Sequence, residues 1–446
     1  MAKSITEYVC SRCGHVNPQW LGRCPTCEAW DTFVERAATT GKGASVKAAE
    51  PVTLTGVESA VRAPTGIAEL DRVLGGGVVP GSSVLLGGDP GVGKSTLALQ
   101  LASNLAGRMK TLYVAGEETP AQLGTAAARL GAKTEDVYVL PEHVVENVVT
   151  VLADGRPGIC VVDSVQTVHA AAHPAPPGSL SQLKTSTMML TEIAKSTGTV
   201  LVLIGHVTKS GDIAGPKALE HIVDVVLYLE GDRHGPLRFL RASKNRFGAT
   251  GEVGVFQMTE KGLAEVERPS ELFLAERRAD VPGSAVVALM EGSRPVLAEV
   301  QALTSASGFS NPQRVVSGVD VKRLAIILAV LDKRLGYDLS RSDVFVNAVG
   351  GLYVNEPAAD LGVTLAIASS VLGRAVDPAV AAFGEVGLAG EVRGAGGAAR
   401  RVKEAARMGF ARVILPEKSA IEVKRSADVQ LTGVADVDAA VEVALT

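Results

Sequence analysis

The run "GSSVLLGGDPGVGKSTLALQLA" at 81–102 constrains the fold more than any other stretch. A short apolar segment leads into Gly88, Asp89, Pro90, Gly91, Val92, Gly93, Lys94, Ser95 and Thr96, and an amphipathic run follows. Gly88-x4-Gly93-Lys94-Ser95 between a strand and a helix reads as a phosphate-cradling loop. Its glycines let backbone N–H groups wrap phosphate oxygens, and the helix N-terminus adds its dipole. Lys94 would then reach the β- and γ-phosphates of ATP, and Ser95 would ligate Mg²⁺. A Gly-rich turn arising by coincidence is the other reading, and the strand–loop–helix context speaks against it.

Such a loop belongs to an α/β fold with a parallel sheet, and the surrounding sequence agrees. "KTLYVAGE", "DVYVLPE", "GICVVDS", "TVLVLIGH" and "DVVLYLEG" are short, β-branched and bounded by turn or charged residues. Amphipathic stretches such as "AQLGTAAARLGA" alternate with them, as in a doubly wound domain. Aromatic residues make up only 4%, which favours this architecture over a β-sandwich. We divide the chain into a four-Cys head at 1–36, a small, polar linker at 37–55, an ATPase domain at 56–268 and a second α/β domain at 270–446. The net charge of −4 gives no global basic footprint, so nucleic-acid contact would need a local patch or channel. "MAKSITEYVC" lacks the apolar core of a signal peptide, and no apolar run is long enough to span a bilayer. The expectation is a soluble, cytoplasmic protein without membrane contact.

Nucleotide hydrolysis on a phosphate loop needs two further acids. "GICVVDS" offers Asp163 after four apolar residues, at the end of a parallel strand, where a Mg²⁺-side carboxylate belongs. "LYVAGEET" ends a strand with Glu117 and Glu118. Paired carboxylates there would orient water, and their repulsion would raise one pKa. Glu117 is taken as the catalytic one, with the other solvated or paired with Arg129.

The head carries Cys10-x2-Cys13, ten intervening residues, then Cys24-x2-Cys27. Two such knuckles bring four thiolates around Zn²⁺, and a metal explains how so small a block folds. Disulfides or redox dithiols are the competing reading, disfavoured without secretion. His15 falls outside a filled ligand set, and Cys160 lies inside a strand as core.

"TGIAELDRVLGGGVVPGSSVLLGGDPGVGKSTLALQLA" resembles the RecA/KaiC-type ATPases. With the four-Cys head and "KNRFG" at 244–248, essentially the whole chain is similar to the RadA (Sms) family of bacterial DNA-repair proteins. The resemblance implies a RecA-like ring whose nucleotides sit between protomers. It also implies a DNA-stimulated motor that extends RecA-made joints by branch migration on single-stranded and branched DNA. Read from residues alone, "RFLRASKNRFG" is a strand whose Arg238, Arg241, Lys244 and Arg246 form a positive edge, solvated in the plainest case. In the functional reading Lys244 and Arg246 reach a neighbour's γ-phosphate.

Two loops match the DNA-binding loops of RecA-type proteins, 167–182 and 206–221. Lys209 and Lys217 are the phosphate contacts expected there. Neither loop is aromatic, so binding should follow the backbone with weak sequence preference. His206, ending its strand, sits where a γ-phosphate sensor would relay to the second loop, or is a surface histidine.

From "DVFVNAVGGLYVNEPAADLGVTLAIASSVLG" onward the chain resembles the Lon protease domain. That family's Ser falls at Asp360 and its Lys at Ala399, so both halves of the dyad are missing. Arg400 and Arg401 flank the site and would contact Asp360 or nucleic acid. The remaining role is architectural: a homohexameric ring in which Arg314, Lys322 and Arg323 line a channel, Arg314 contacting DNA. Contact of the zinc head with RecA, a replicative helicase or DNA itself fits equally. The competing functions are an ATP-dependent Lon-like protease, opposed by the missing dyad, and a KaiC-like signalling ATPase, opposed by the head and KNRFG.

Overall fold

The computed structural model describes residues 6–17, 19–37, 61–206, 218–231, 236–308, 311–352, 354, 356–423 and 429–445. Its contacts separate Met1–Ser59 from Ala60–Thr446. In the first unit the antiparallel strands Val16–Asn17, Thr6–Cys10 and Phe33–Ala37 form a sheet in that order. Among the described residues of this unit Cys10, Cys24 and Phe33 are the buried apolar ones, too small a core to hold a fold without a staple.

The second unit contains two large sheets and a two-stranded ribbon of Glu385–Val386 with Val392–Arg393. The first has nine strands, ordered Gly262–Glu265, Val253–Thr259, Leu237–Asn245, Val225–Glu230, Ser83–Gly88, Val200–His206, Ile159–Asp163, Thr111–Ala115 and Val137–Leu140. The last six run parallel, and the first three extend the sheet antiparallel. Ser83–Gly88 and Ile159–Asp163 are buried at every position, as unbroken apolar runs covered on both faces require. One face packs Leu86, Val161 and Val202 against the helix Lys94–Leu105 through Leu97 and Leu101. The other packs Leu85, Leu201 and Leu203 against Leu183 and Leu190 of Leu180–Thr197. The helix Pro120–Leu130 starts on a capping box between Thr119 and Gln122.

The second sheet has seven strands, ordered Arg314–Ser317, Ser342–Ala348, Arg294–Ala306, Ser284–Glu291, Val380–Ala382, Arg412–Pro416 and Gln430–Val434. Helices Val321–Arg334 and Asp360–Leu372 cover one face, and Ala398–Arg407 covers the other. Asp360–Ser369 is buried all round. Gly362 permits this, because a Cβ there would come 2.1 Å from Val287 Cγ1.

The two sheets share more than a linker. Leu237, Val253 and Val255 of the first belong to the hydrophobic core of the second. Arg294 meets the buried Glu69 at 2.5 Å, Arg241 pairs with Glu291, and Ser293 N donates to Gly251 O. No helix among the described residues is long and apolar enough to cross a membrane.

Candidate functional site

The phosphate loop joins Ser83–Gly88 to Lys94–Leu105, as its sequence requires. Gly93 adopts φ +112°, a conformation that strains any residue with a Cβ, so glycine is needed there. Lys94 is buried, and its Nζ donates to Gly88 O at 2.9 Å and Asp89 O at 3.0 Å, which holds the ammonium inside the loop. Burial pulls its pKa below the ordinary lysine value, while Asp163, Glu117 and Asp89 oppose that shift.

Asp163 ends the strand Ile159–Asp163 and is 5% exposed. Tyr113 donates its hydroxyl to Oδ2 at 2.7 Å, whereas Oδ1 is buried and takes no hydrogen bond among the described residues. An unpartnered carboxyl oxygen beside a phosphate loop suits a cation. Ser95, in the first turn of the following helix, is the hydroxyl that would share it. The Asp163–Ser164 peptide is cis.

Glu117 sits just beyond Thr111–Ala115, next to that acid. Its Oε1 accepts from Ser164 Oγ at 2.5 Å and faces His206 Nε2 at 3.0 Å. Burial pushes the Glu117 carboxyl up, but the hydrogen bonds from Ser164 and His206 outweigh it and leave its pKa below the ordinary value. Glu118 moves the other way, through burial and the charges of Asp163 and Glu117, with Arg129 opposing. The two carboxyls thus diverge, as their adjacency implies.

KNRFG lies at the far end of the same sheet. Lys244 pairs with Val226, itself beside Leu85, and Asn245 with Val225, beside Val84. About 13 Å of strand separates the Val84 level from Gly88, so these cations cannot touch their own loop. Lys244 Nζ instead donates to Glu220 O at 2.6 Å and Val223 O at 2.7 Å, and Arg246 pairs with Asp224 at 3.0 Å. The other two arginines depart from a solvated edge. Arg238 is buried and donates Nε to Val92 O in the phosphate loop at 3.0 Å; Arg241 bridges Glu230 and Glu291.

Of the residues expected to meet DNA, Lys209 and Lys217 lie outside the described residues. Arg314 is exposed, and its Nη1 and Nη2 donate to the carbonyls of Gln313, Leu339 and Ser342 of its own chain. The loop at 167–182 is anchored too, by Gln182 on Ala170, His173 and Ala175 and by Glu146 on Ala171.

In the second sheet the family's nucleophile position holds a buried ion pair. Asp360 is 3% exposed, meets Arg323 through Nε at 3.2 Å and through Nη2, and accepts Val386 N at 3.1 Å. This corrects one expectation: Arg400 and Arg401 do not reach Asp360, whose partner is Arg323. Arg400 donates to Ser293 O, and Arg401 pairs with Glu356 and donates to Gly396 O and Ala288 O. Ser369 and Ser370 lie within the helix, bonded to Arg374 O, Gly283 N and Thr304, and supply no substitute nucleophile.

In the first unit the four cysteine Sγ atoms all lie within 4.8 Å of one another. Cys10–Cys27 at 3.7 Å and Cys13–Cys24 at 3.5 Å are far beyond disulfide bonding. They match the roughly 3.8 Å edge of a tetrahedron with ~2.3 Å metal–sulfur bonds. The cluster therefore fits Zn²⁺.

Sequence reasoning missed Tyr113, Ser164 and the inward bond of Arg238. Ser164 had a signal, since it directly follows Asp163; the other two carried none beyond strand alternation.

Comparison with known proteins follows the same divisions. Residues 8–35 match the rubredoxin metal binding domain, 63–140 match KaiC, and 336–446 match the Lon protease (S16) C-terminal proteolytic domain. DNA repair protein RadA of Halalkalibacterium halodurans is 45% identical over 456 aligned residues, spanning 100% of both chains. The Bacillus subtilis protein of that name is 44% identical over the same span and coverage. That of Pseudomonas aeruginosa is 47% identical, over 93% of this chain and 94% of its own. With full-length identity at this level, the chain belongs to the RadA family of DNA repair proteins.

Proposed function

We propose that the chain is a DNA-stimulated ATPase whose subunits form a hexameric ring and move DNA during repair by recombination. Single-stranded and branched DNA are its substrates, with Lys209 and Lys217 contacting phosphates and the zinc head making contact with RecA, a replicative helicase or DNA. The division at 1–36, 37–55, 56–268 and 270–446 belongs to the same reading, as does a cytoplasmic location. The residues Gly88 to Thr96 cradle ATP. Ser95 and Asp163 would hold Mg²⁺, which neutralises charge on the phosphates. Lys94 neutralises the phosphates from inside the loop, and Glu117 orients the attacking water.

The observation that carries this proposal is the split of the machinery between the ends of one sheet. Lys94, Glu117 and Asp163 gather at the strand ends beside the loop, while Lys244 and Arg246 stand at the opposite end. A cation at that end serves hydrolysis only from a second copy. A subunit-mixing experiment tests this. Lys94→Ala and Arg246→Ala subunits, each inactive alone, should regain ATP turnover on mixing, because some junctions then pair an intact loop with an intact Arg246. Failure of every mixture to regain turnover, with assembly verified, would sink the trans assignment. Turnover unaffected by single-stranded DNA would sink the motor.

A peptidase reading finds no support in a carboxylate locked to Arg323, and casein should remain uncut under all these conditions.

A further inference from the structure

The geometry points to Ser164 as a positioning residue for hydrolysis: its hydroxyl pins Oε1 of Glu117 and so aims Oε2 at the attacking water. This inference rests on Glu117 as the water-orienting group and goes beyond it by naming what holds that group. Ser164 is fully buried and adjoins Asp163. Its Oγ–H donates to Glu117 Oε1 at 2.5 Å, while its own carbonyl accepts from Thr167 Oγ1 at 2.8 Å. The backbone next to it is fixed as well, since Val165 N donates to Ile204 O and Gly116 N to Asp163 O. The hydroxyl is therefore held by sheet backbone, not by a mobile side chain.

The same oxygen of Glu117 also takes His206 Nε2 at 3.0 Å. His206 Nδ1 is buried without a partner among the described residues, which leaves Nε2 as the ring nitrogen that meets Glu117. Two donors on one carboxylate oxygen fix the side chain's torsion. Oε2 takes no hydrogen bond among the described residues and is the oxygen left for water. A carboxylate anchored in this way needs little reorganisation at the moment of reaction. Lys94 faces Glu117 across the site, so the pin also stops the carboxylate swinging onto the ammonium.

The test is a double-mutant cycle on full-length protein, with Ser164→Ala, Glu117→Gln and the pair of them. ATP turnover is measured with single-stranded DNA, together with KM for ATP. Ser164→Ala should lower kcat about tenfold and leave KM within about twofold, as for an interaction used only in the transition state. In the Glu117→Gln background the same change should cost nothing further, because the residue acts through that carboxylate. Ser164→Cys, similar in size and able to donate weakly, should recover part of the loss, which separates the hydroxyl from simple packing. An equal loss in both backgrounds, a rise in KM that accounts for the loss, or an unchanged kcat would each overturn the inference. Should Glu117→Gln itself leave turnover intact, the assignment of Glu117 fails first and Ser164 falls with it.

Discussion

Replacing Arg323 by alanine should cost more stability than replacing its partner Asp360 by asparagine, although both break one ion pair. The reason is unequal burial. Asp360 is 3% exposed, whereas the Arg323 side chain is 28% exposed and has Glu385 at 3.4 Å as a second partner. Arg323→Ala removes two charge-assisted bonds and strands a carboxylate in the core with Val386 N as its remaining donor. Breaking a buried pair in this sense costs about 3–5 kcal/mol, and partial relief by proton uptake brings it to ~3 kcal/mol. Asp360→Asn leaves an arginine that can turn to water and Glu385, which reduces the loss to about 1 kcal/mol. For a unit as large as Ala60–Thr446 the corresponding falls in Tm are roughly 3–4 °C and about 1 °C. Calorimetry of the full chain would measure both. The pH dependence gives a second check. Burial raises the Asp360 pKa, with Arg323 opposing it; without Arg323 it rises further. A carboxyl raised in the folded state binds its proton more tightly there. Its stabilisation is therefore present at low pH and lost as pH rises through the folded value. The Arg323→Ala deficit should accordingly shrink as pH falls from neutral towards the raised pKa. A deficit that is flat across that window, or a larger loss for Asp360→Asn, would refute the reasoning.

Other outcomes follow from single contacts. Asp360→Ser should show no cleavage of casein, because Ala399 supplies no base. Arg238→Met keeps the stem but loses the bond to Val92 O, so KM for ATP should rise about tenfold while the fold persists by circular dichroism. Chelation of zinc should unfold the first unit alone. Trp20 and Trp30 are the chain's two tryptophans, so their fluorescence would report that loss and its reversal by Zn²⁺ but not Mg²⁺. Arg314→Ala should lower Tm by a few degrees, through three carbonyls losing a donor, with little change in DNA affinity measured by anisotropy.

The sequence exposed whatever depends on local spacing. Strand–loop–helix at 83–105, the terminal acid of "GICVVDS" and the two CxxC knuckles all carry their geometry within a few residues of themselves. The divergence of Glu117 and Glu118 was legible for the same reason. Long side chains escaped. Arg323 reaches a carboxylate 37 residues away, and Arg238 bonds a carbonyl 146 residues away. In sequence Arg323 read as a channel-lining cation and Arg238 as part of a positive edge, because the choice of acceptor is made by strand order and not by spacing. The helix at Asp360–Leu372 shows the converse: its apolar character announced burial, but not which cation would neutralise the one acid inside it.

The strand Leu237–Asn245 has a practical consequence. It touches the phosphate loop through Arg238, the second sheet through Leu237 and Arg241, and the end of the second loop through Lys244. The wall between motor and protease-like fold is held in common, so no cut in the chain divides them cleanly. A fragment ending at residue 268 would bare Leu237, Val253 and Val255 to water and leave Glu69 without Arg294. For anyone expressing pieces of this protein, the workable unit of manufacture begins before the first sheet and runs to the end of the second.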